Sequence, residues 1–539
     1  MTQINYPDCS LYEFVARRAE GWRSFAALEY YGRKISYARL LFEIDRCAAA
    51  LKALGVKRGD NVAVILPNIP QAVFVFYALN KLGAAASMIH PLSSRDEIAR
   101  YIEITGSRIV IALDLAAEKA AGAAQTLVVT SVGEYMSAPM KAAYSLSAKK
   151  PRIQGTMTWR GLMALGKGKS VSSEGGEDDA AAVLFSGGTT GAPKGIVLTN
   201  LNFNALALQS IDGCGVLEKG DRVLSVMPVF HGFGLGVCIH TVLCFGGTAI
   251  ILPKFKASEF LNLVLKYKPN IVAGVPSIYE YMLRSNLKKR DLSFLKCAIS
   301  GGDTLSAATK VRLAEMLSAH GCAAGVREGY GLTECVTGTC LSPAGDVREG
   351  CVGMPYNDTE YMIADPETGA ELPRGEVGEI VLRGPTVMRG YLGDPEETAR
   401  ALRVHNGKVW LHTGDLGCMD EEGYVFFRQR LKRMIVSNGY NIYPQNLESV
   451  ISSHSGVAQC AVVGVRDEIR GQRVAAFVVP KDGADRAALP KELDALCRER
   501  LSAYAVPRSY HLCDSLPKTL VGKIAYTELE KMGETADEQ

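Results

Sequence analysis

Residues 184–200 read LFSGGTTGAPKGIVLTN, and side chains of these types at this spacing suit the holding of phosphate. Gly187, Gly188, Gly191 and Gly195 let backbone N–H groups approach an anion. Ser186, Thr189, Thr190 and Thr199 add hydroxyls, and Lys194 answers the negative charge. Four later stretches extend the chemistry. In EGYGLTEC (328–335), Tyr330 can stack on a base, Thr333 can donate to a phosphate oxygen and Glu334 can ligate Mg²⁺. WLHTGDLG (410–417) predicts Asp415 in a tight turn, where its carboxylate can accept both hydroxyls of a ribose. RQRLKRMIVSNGYNIYP (428–444) sets a basic cluster beside a Gly/Asn/Pro loop, the composition of an interdomain linker. LPKTLVGKIAYTELE (516–530) presents Lys523 on a glycine turn near the C-terminus. Each stretch alone also reads as turn chemistry or a solvated charge; their joint occurrence in this order carries the argument.

The phosphate loop is not a P-loop. That motif needs Gly directly before Lys, then Ser or Thr, and opens straight into a helix. Here Pro193 precedes Lys194 and Gly195 follows it. Residues 181–185 read as a buried strand and Ile196-Val197-Leu198 as a short β-branched run. Thr199-Asn200 then forms an N-cap for LNFNALALQS, so the loop joins strand to strand. A plain structural hairpin is the other reading of this loop by itself.

Apolar runs of strand and helix type alternate around it. NVAVILP (61–67), AAASMIHP (84–91) and RIVIAL (108–113) predict strands, with helices at 71–83 and 95–106 between them. Further strands are predicted at 221–228, 247–253, 269–276 and 295–302. Val/Ile-rich strands alternating with helices predict an α/β fold with largely parallel sheets. The Ala-rich patch 115–124 and SSEGGEDDA (172–180) read as surface loops. After about residue 357 short strands broken by Gly and Pro predict a β-rich subdomain, and the chain from 434 predicts a compact α+β unit.

A chain of 539 residues exceeds what one core usually supports, so at least two domains are expected. A net charge of +3 argues against a nucleic-acid partner. The start, MTQINYPDCSLYEF, lacks a basic region followed by an apolar run, so no signal peptide is expected. No stretch reaches the ~18 uninterrupted apolar residues of a spanning helix. The 14 cysteines contain no CxxC pair, and Cys335 and Cys340 have no nearby histidine; reduced thiols in a cytoplasmic protein are expected.

Taken together, from about residue 10 to 530, the sequence resembles the adenylate-forming superfamily of acyl-CoA synthetases, adenylation domains and luciferases. The resemblance implies an AMP-binding N-terminal domain over 1–429, a hinge at 430–433 centred on Lys432, and a small mobile C-terminal domain over 434–539. It implies ATP, Mg²⁺ and coenzyme A as ligands. SGGTTGAPKG would close over the β- and γ-phosphates, with Thr189 and Lys194 acting in catalysis. His231 in MPVFHGFGLG would lie beside the acyl carboxylate, with Gly232 and Gly234 in the acyl path. Gly301, Gly302 and Asp303 would flank adenine, with Gly302 against the ring and Glu328 near its amino group. Gly329, Tyr330 and Gly331 would line the base, Thr333 would meet the α-phosphate, and Glu334 would hold Mg²⁺. Asp415 and Arg430 would take the ribose, Gly439 would line the thiol tunnel, and Lys523 would serve adenylation. Three positions depart from the family's pattern: Gly187 for serine, Gln429 for glycine and Asn446 for glutamate. None removes an essential charge, so an active enzyme is expected.

The acid is narrowed by Gly232. Amino-acid-activating relatives carry an aspartate there for the α-ammonium, so an α-amino acid is disfavoured. Glycines at 232, 234 and 236 are expected to leave room for an aliphatic chain. Residues 128–153 resemble an insertion of long-chain fatty acyl-CoA synthetases. Its Met, Tyr and Leu residues interleave with Lys141, Lys149, Lys150 and Arg152, a pattern suited either to peripheral contact with a lipid surface or to an ordinary amphipathic helix. No carrier domain follows Lys523, which makes coenzyme A the expected thiol. A separate carrier protein, an aryl acid, and a non-catalytic nucleotide-binding relative remain as alternatives.

Overall fold

The computed structural model describes residues 4–147, 155–186, 193–285, 287, 290–322, 325–437, 440–467, 470–519 and 524–535. Two compact units emerge. One comprises residues 1–361, 381–412 and 422–425, and the other 362–380, 413–421 and 426–539.

The first unit is built on two sheets. Among the described residues one has eight strands, with Ala85–Met88, Asn61–Ile65, Ile109–Leu113 and Thr126–Thr130 parallel at its centre. These are the Val/Ile-rich runs the sequence marks, and burial on both faces is why they lack alternation. Ala180–Ser186 adds to Ala85–Met88 in parallel, and Lys194–Thr199 turns back antiparallel to it. The phosphate loop therefore joins two strands of one hairpin, as expected. Thr199 then caps the helix Asn200–Cys214 in a reciprocal box with Asn202. Ser94 and Glu97 form the same box for Arg95–Thr105.

The second sheet of this unit runs in the order Cys351–Pro355, Cys340–Leu341, Val326–Tyr330, Cys297–Gly301, Ile271–Gly274, Arg222–Ser225, Thr248–Ile251, Ala26–Tyr30 and Arg33–Ser36. Its six strands from Val326–Tyr330 to Ala26–Tyr30 are parallel. Phe260, Tyr279, Val264 and Leu313 pack helices on it.

The second unit contains a five-stranded sheet. Val457–Asp467 and Gly471–Pro480 form its long antiparallel pair, flanked by Ile435–Ser437, Tyr440–Ile442 and Ser509–Leu512. The helices Pro444–Ser452 and Leu489–Arg500 bury Leu447, Ile451, Leu493 and Cys497 against it.

One expectation needs correction. The Ala-rich patch is not a loop: Asp114–Ala120 is a helix that buries Ala116, Ala117 and Ala120 against the first sheet. Alanine is the best helix former, and its small side chain permits that close packing. In the helix Ala138–Ser147, the Tyr144 ring lies against Gly133 and Lys141 pairs with Glu134 at 3.1 Å, while Leu146 is 91% exposed. Tyr144 and Lys141 of the interleaved pattern are thus occupied locally. Lys149, Lys150 and Arg152 lie outside the described residues. Among the described residues no helix is long and apolar enough to cross a membrane.

Candidate active site

Parallel strands carry the candidate residues to one edge of the second sheet. Arg222–Ser225, Ile271–Gly274, Cys297–Gly301 and Val326–Tyr330 are neighbours in register, with Gly301 opposite Gly329. His231 follows the first of these strands, Gly302 and Asp303 the third, and Gly331, Thr333 and Glu334 the last. In open α/β sheets ligands bind outside such carboxyl ends. Gly302 has φ +84°, a left-handed conformation suited to glycine, and a Cβ built there would meet only Val275 at 3.6 Å. Asp303 is exposed and accepts the Thr304 amide at 2.9 Å.

Asn68 fixes the approach to His231. Its amide group donates to the carbonyls of Ser225 (3.0 Å) and Met227 (2.8 Å), and its Oδ1 accepts from the Val229 amide at 3.0 Å. Nδ1 of His231 accepts the Phe233 amide at 3.3 Å, which ties the ring to the start of the next helix. The chain then enters a π-helix, Phe233–Thr241, a geometry found often at functional sites. At its far end His240 is fully buried between the Tyr77 hydroxyl (2.8 Å) and Asn204 Oδ1 (3.0 Å). Burial pushes its pKa down to about 3, so it is a neutral packing element.

The glycines of this segment do not leave room. A Cβ on Gly232 would lie 1.6 Å from the Val336 carbonyl oxygen. At Gly234 it would meet the Pro228 oxygen at 2.0 Å, and at Gly236 Leu206 Cδ2 at 2.6 Å. Gly232 and Gly234 are glycine because backbones touch there, and Gly236 because side chains close over it, which corrects the expected space for an aliphatic chain.

Glu334 lies in the short turn Thr333–Cys335, partly exposed. Its carbonyl accepts the Met388 amide at 2.7 Å, and its Oε1 accepts the Tyr391 hydroxyl at 2.9 Å. The next turn is strained, since β-branched Val336 sits at φ 63°, ψ −58°. Tyr391 also faces Lys194, whose Nζ lies 4.9 Å from the ring centroid. Lys194 thus stands at the mouth of the phosphate hairpin, opposite Ser186. Gly187, Gly188, Thr189, Thr190 and Gly191 lie outside the described residues. One tyrosine therefore joins the loop lysine and the candidate metal carboxylate, a link with no local sequence signal.

Glu328 departs from the expectation. It is buried, with Oε2 2.6 Å from Lys310 Nζ and Oε1 accepting the Leu305 amide at 3.1 Å. Burial raises its pKa, against the pull of Lys310. A carboxylate so engaged holds two elements together and is not offered to a base. Lys310→Met should therefore strand a buried charge and cost about 3–5 kcal/mol of stability. Urea unfolding would measure this, and adding Glu328→Gln should restore part of the loss.

Asp415 also corrects its expectation. It lies within the strand Lys408–Met419, not in a tight turn. Gly414, at φ +67°, kinks the strand, and its amide is held by Glu379 Oε1 at 2.9 Å. The Asp415 amide donates to Thr413 Oγ1 (3.0 Å), and its buried carboxylate meets Arg430 Nε at 2.9 Å. The Asp415–Arg430 pairing is thus seen within the second unit. Lys432 falls in the short turn Leu431–Arg433, where Arg433 pairs with Glu448 at 2.6 Å and stacks on Tyr526. Gly439 and Lys523 lie outside the described residues; strands pair on either side of the former, and Lys518 bridges Ile524 around the latter.

The donor set can be tested against Mg²⁺. Among the described residues no group of three His, Cys, Asp or Glu could cage a metal. One accessible carboxylate beside a phosphate loop suits Mg²⁺, which keeps waters and takes one or two carboxylates with substrate phosphates.

Comparison with known proteins bears on the whole chain. A family model described as "AMP-binding enzyme" matches residues 15–392, and one described as "AMP-binding enzyme C-terminal domain" matches residues 446–523. A long-chain-fatty-acid–CoA ligase of Bacillus subtilis (strain 168) is 34% identical over 542 residues, covering 97% of this chain and 94% of that protein. A feruloyl-CoA synthase of Amycolatopsis sp is 33% identical, covering 96% of this chain and 97% of its own. The crystal structure of ATP-bound MatB from Rhodopseudomonas palustris gives a TM-score of 0.85 at 28% identity, covering 98% of this chain and all of that one, 100%. On matches of this length and level, the chain belongs to the AMP-binding enzyme family and is an acid–thiol ligase.

Proposed function

We propose that the enzyme activates a carboxylic acid with ATP, forming an acyl-adenylate and pyrophosphate, and then transfers the acyl group to coenzyme A with release of AMP. The observation that carries this reading is the placement of Lys194 and Glu334 on either side of Tyr391. A carboxylate and a triphosphate repel each other, so positive charge must gather before they meet. Lys194 would take phosphate oxygens, and Glu334 would hold Mg²⁺, which when bound polarises the phosphates for in-line attack at the α-phosphorus. Thr189 and Ser186 would donate from the loop, Thr333 would meet the α-phosphate and His231 would orient the acid. Gly301, Gly302, Asp303 and Tyr330 would frame adenine. Asp415 with Arg430 would bind ribose, Lys523 would act in adenylation and Gly439 in thiol access. A division into 1–429 and 434–539, with backbone rotation near Lys432, would let the C-terminal domain serve both half-reactions.

A medium- or long-chain fatty acid is the proposed substrate, supported by the Bacillus subtilis relative and by Gly232 in place of an ammonium-binding aspartate. An aryl acid is the second reading, favoured by the feruloyl-CoA synthase, whose identity to this chain is 33% against 34%. Contact of 128–153 with a lipid surface would rest on exposed Met140 and Leu146. All 14 cysteines are free thiols, which supports a cytoplasmic location. The test is ATP–pyrophosphate exchange across fatty, aryl and short-chain acids, followed by thioester formation with and without coenzyme A. Exchange with no acid in the panel would reject the reading. Asp415→Ala should chiefly raise the Michaelis constant for ATP, because hydrogen bonds to a charged group contribute about 1.5–3 kcal/mol. An unchanged constant would make Asp415 a structural partner of Arg430.

A further inference from the structure

Lys194 already has an anion. Its ammonium contacts Glu397 Oε2 while it lies over the Tyr391 ring. Glu397 stands in the first turn of the helix Pro395–Ala401, where its amide donates to the capping Asp394 at 3.0 Å. Its other carboxylate oxygen meets Arg400. Lys194 and Arg400 together hold its carboxyl below the usual range, Lys194 contributing most. Strand pairing brings these groups together: Tyr391 lies opposite Ile196 on the lysine's own strand, and its amide donates to Thr398 of the same helix at 2.9 Å. Lys194 and Glu397 keep side-chain exposures of 32% and 27%, so a ligand can reach the pair.

A carboxylate on an ammonium occupies the place a phosphate oxygen would take. We propose that Glu397 is the resident counter-ion of Lys194 in the nucleotide-free enzyme, a competitor that ATP and pyrophosphate must displace and that returns when pyrophosphate leaves. The proposal rests on the ligase reading. Between turnovers Glu397 and the Tyr391 ring keep the lysine aimed, and in turnover Glu397 weakens the hold on pyrophosphate and so favours its release. No bond is made or broken; one ion pair exchanges for another, and Arg400 remains with the freed carboxylate. A purely structural pair would have the opposite consequence, since its loss would loosen the helix beside Tyr391 and weaken nucleotide binding.

The sign of the effect is the test. Calorimetric titration of the full chain with ATP, and separately with inorganic pyrophosphate, would compare wild type, Glu397→Gln and Glu396→Gln. Glu397→Gln should bind both ligands about fivefold more tightly, the scale of one exposed ion pair. Glu396→Gln makes the same charge change one residue away, on an exposed side chain, and should stay within about twofold of wild type. Glu397→Asp, shorter by one methylene, should shift binding in the same direction by less, and serves if the Gln variant does not fold. Unchanged or weaker binding by a folded Glu397→Gln or Glu397→Asp overturns the counter-ion role. An equal gain in Glu396→Gln also overturns it, because the effect would then be general charge. If wild type exchanges ATP and pyrophosphate normally, such a failure leaves the ligase reading standing. A wild type that binds neither ligand overturns both.

Discussion

Glu334→Gln is expected to abolish acyl-adenylate formation while leaving the protein folded. The amide keeps the shape of the carboxylate and an oxygen to accept the Tyr391 hydroxyl, now at 2.9 Å, so the turn Thr333–Cys335 should persist. What it loses is negative charge. A neutral amide is a weak partner for Mg²⁺ competing with phosphates and water, and electrostatic contributions at a reacting phosphate are the largest in such sites. Exchange between ATP and pyrophosphate should fall by about 100-fold or more, on the scale of losing one transition-state contact. The urea midpoint should move little, because the side chain is partly exposed and is replaced by an isostere. Near-normal exchange in a folded variant would reject Glu334 as the metal carboxylate.

Lys523→Ala is expected to divide the reaction. Adenylation should be lost, yet the variant should still convert a chemically supplied acyl-adenylate and coenzyme A into acyl-CoA. Once pyrophosphate has gone, most of the phosphate charge that Lys523 would answer has gone with it, and the thiol step has no further use for the lysine. Lys432→Pro should do the reverse, because a proline fixes φ near −65° and restricts the rotation proposed there. Lys432→Ala, which spares the backbone, should retain both steps. Equal failure of a folded Lys523→Ala in both half-reactions would show that the C-terminal domain does not alternate.

The sheets were readable because their strands are short apolar runs closed by Gly or Pro, as at 61–67 and 269–276, and their helices begin with caps such as Ser94 and Thr199. The hairpin beneath the phosphate loop was readable for the same reason, with Pro193 and Gly195 forbidding a helix. The order of TEC, TGD and the C-terminal lysine carried the chemistry. What escaped depends on chain segments far apart. Lys310 looks like any helical lysine, and only the fold brings it to Glu328. Glu397 follows Lys194 by 203 residues, and nothing local marks it as that residue's partner. At Asp415 the local turn signal was real, since Gly414 is left-handed, but the ladder of a 12-residue strand overrode it. Glycine itself is ambiguous: it marks open space or close approach equally, and at 232, 234 and 236 the sequence could not say which.

The contact between Gly232 and the Val336 carbonyl bears on how this ligase could be turned to new acids. The simplest route toward an α-amino acid is to give position 232 the aspartate that amino-acid-activating relatives carry. In this chain that exchange has no small first step, because even an alanine would drive its methyl into the Val336 carbonyl, two residues beyond the proposed metal carboxylate. Any lineage or engineer making the change must first reshape the strained turn at Val336, and would disturb Glu334 in doing so. On the proposed reading, the choice of acid and the metal site are thereby coupled, and an amino acid would be disfavoured by backbone packing as well as by a missing charge.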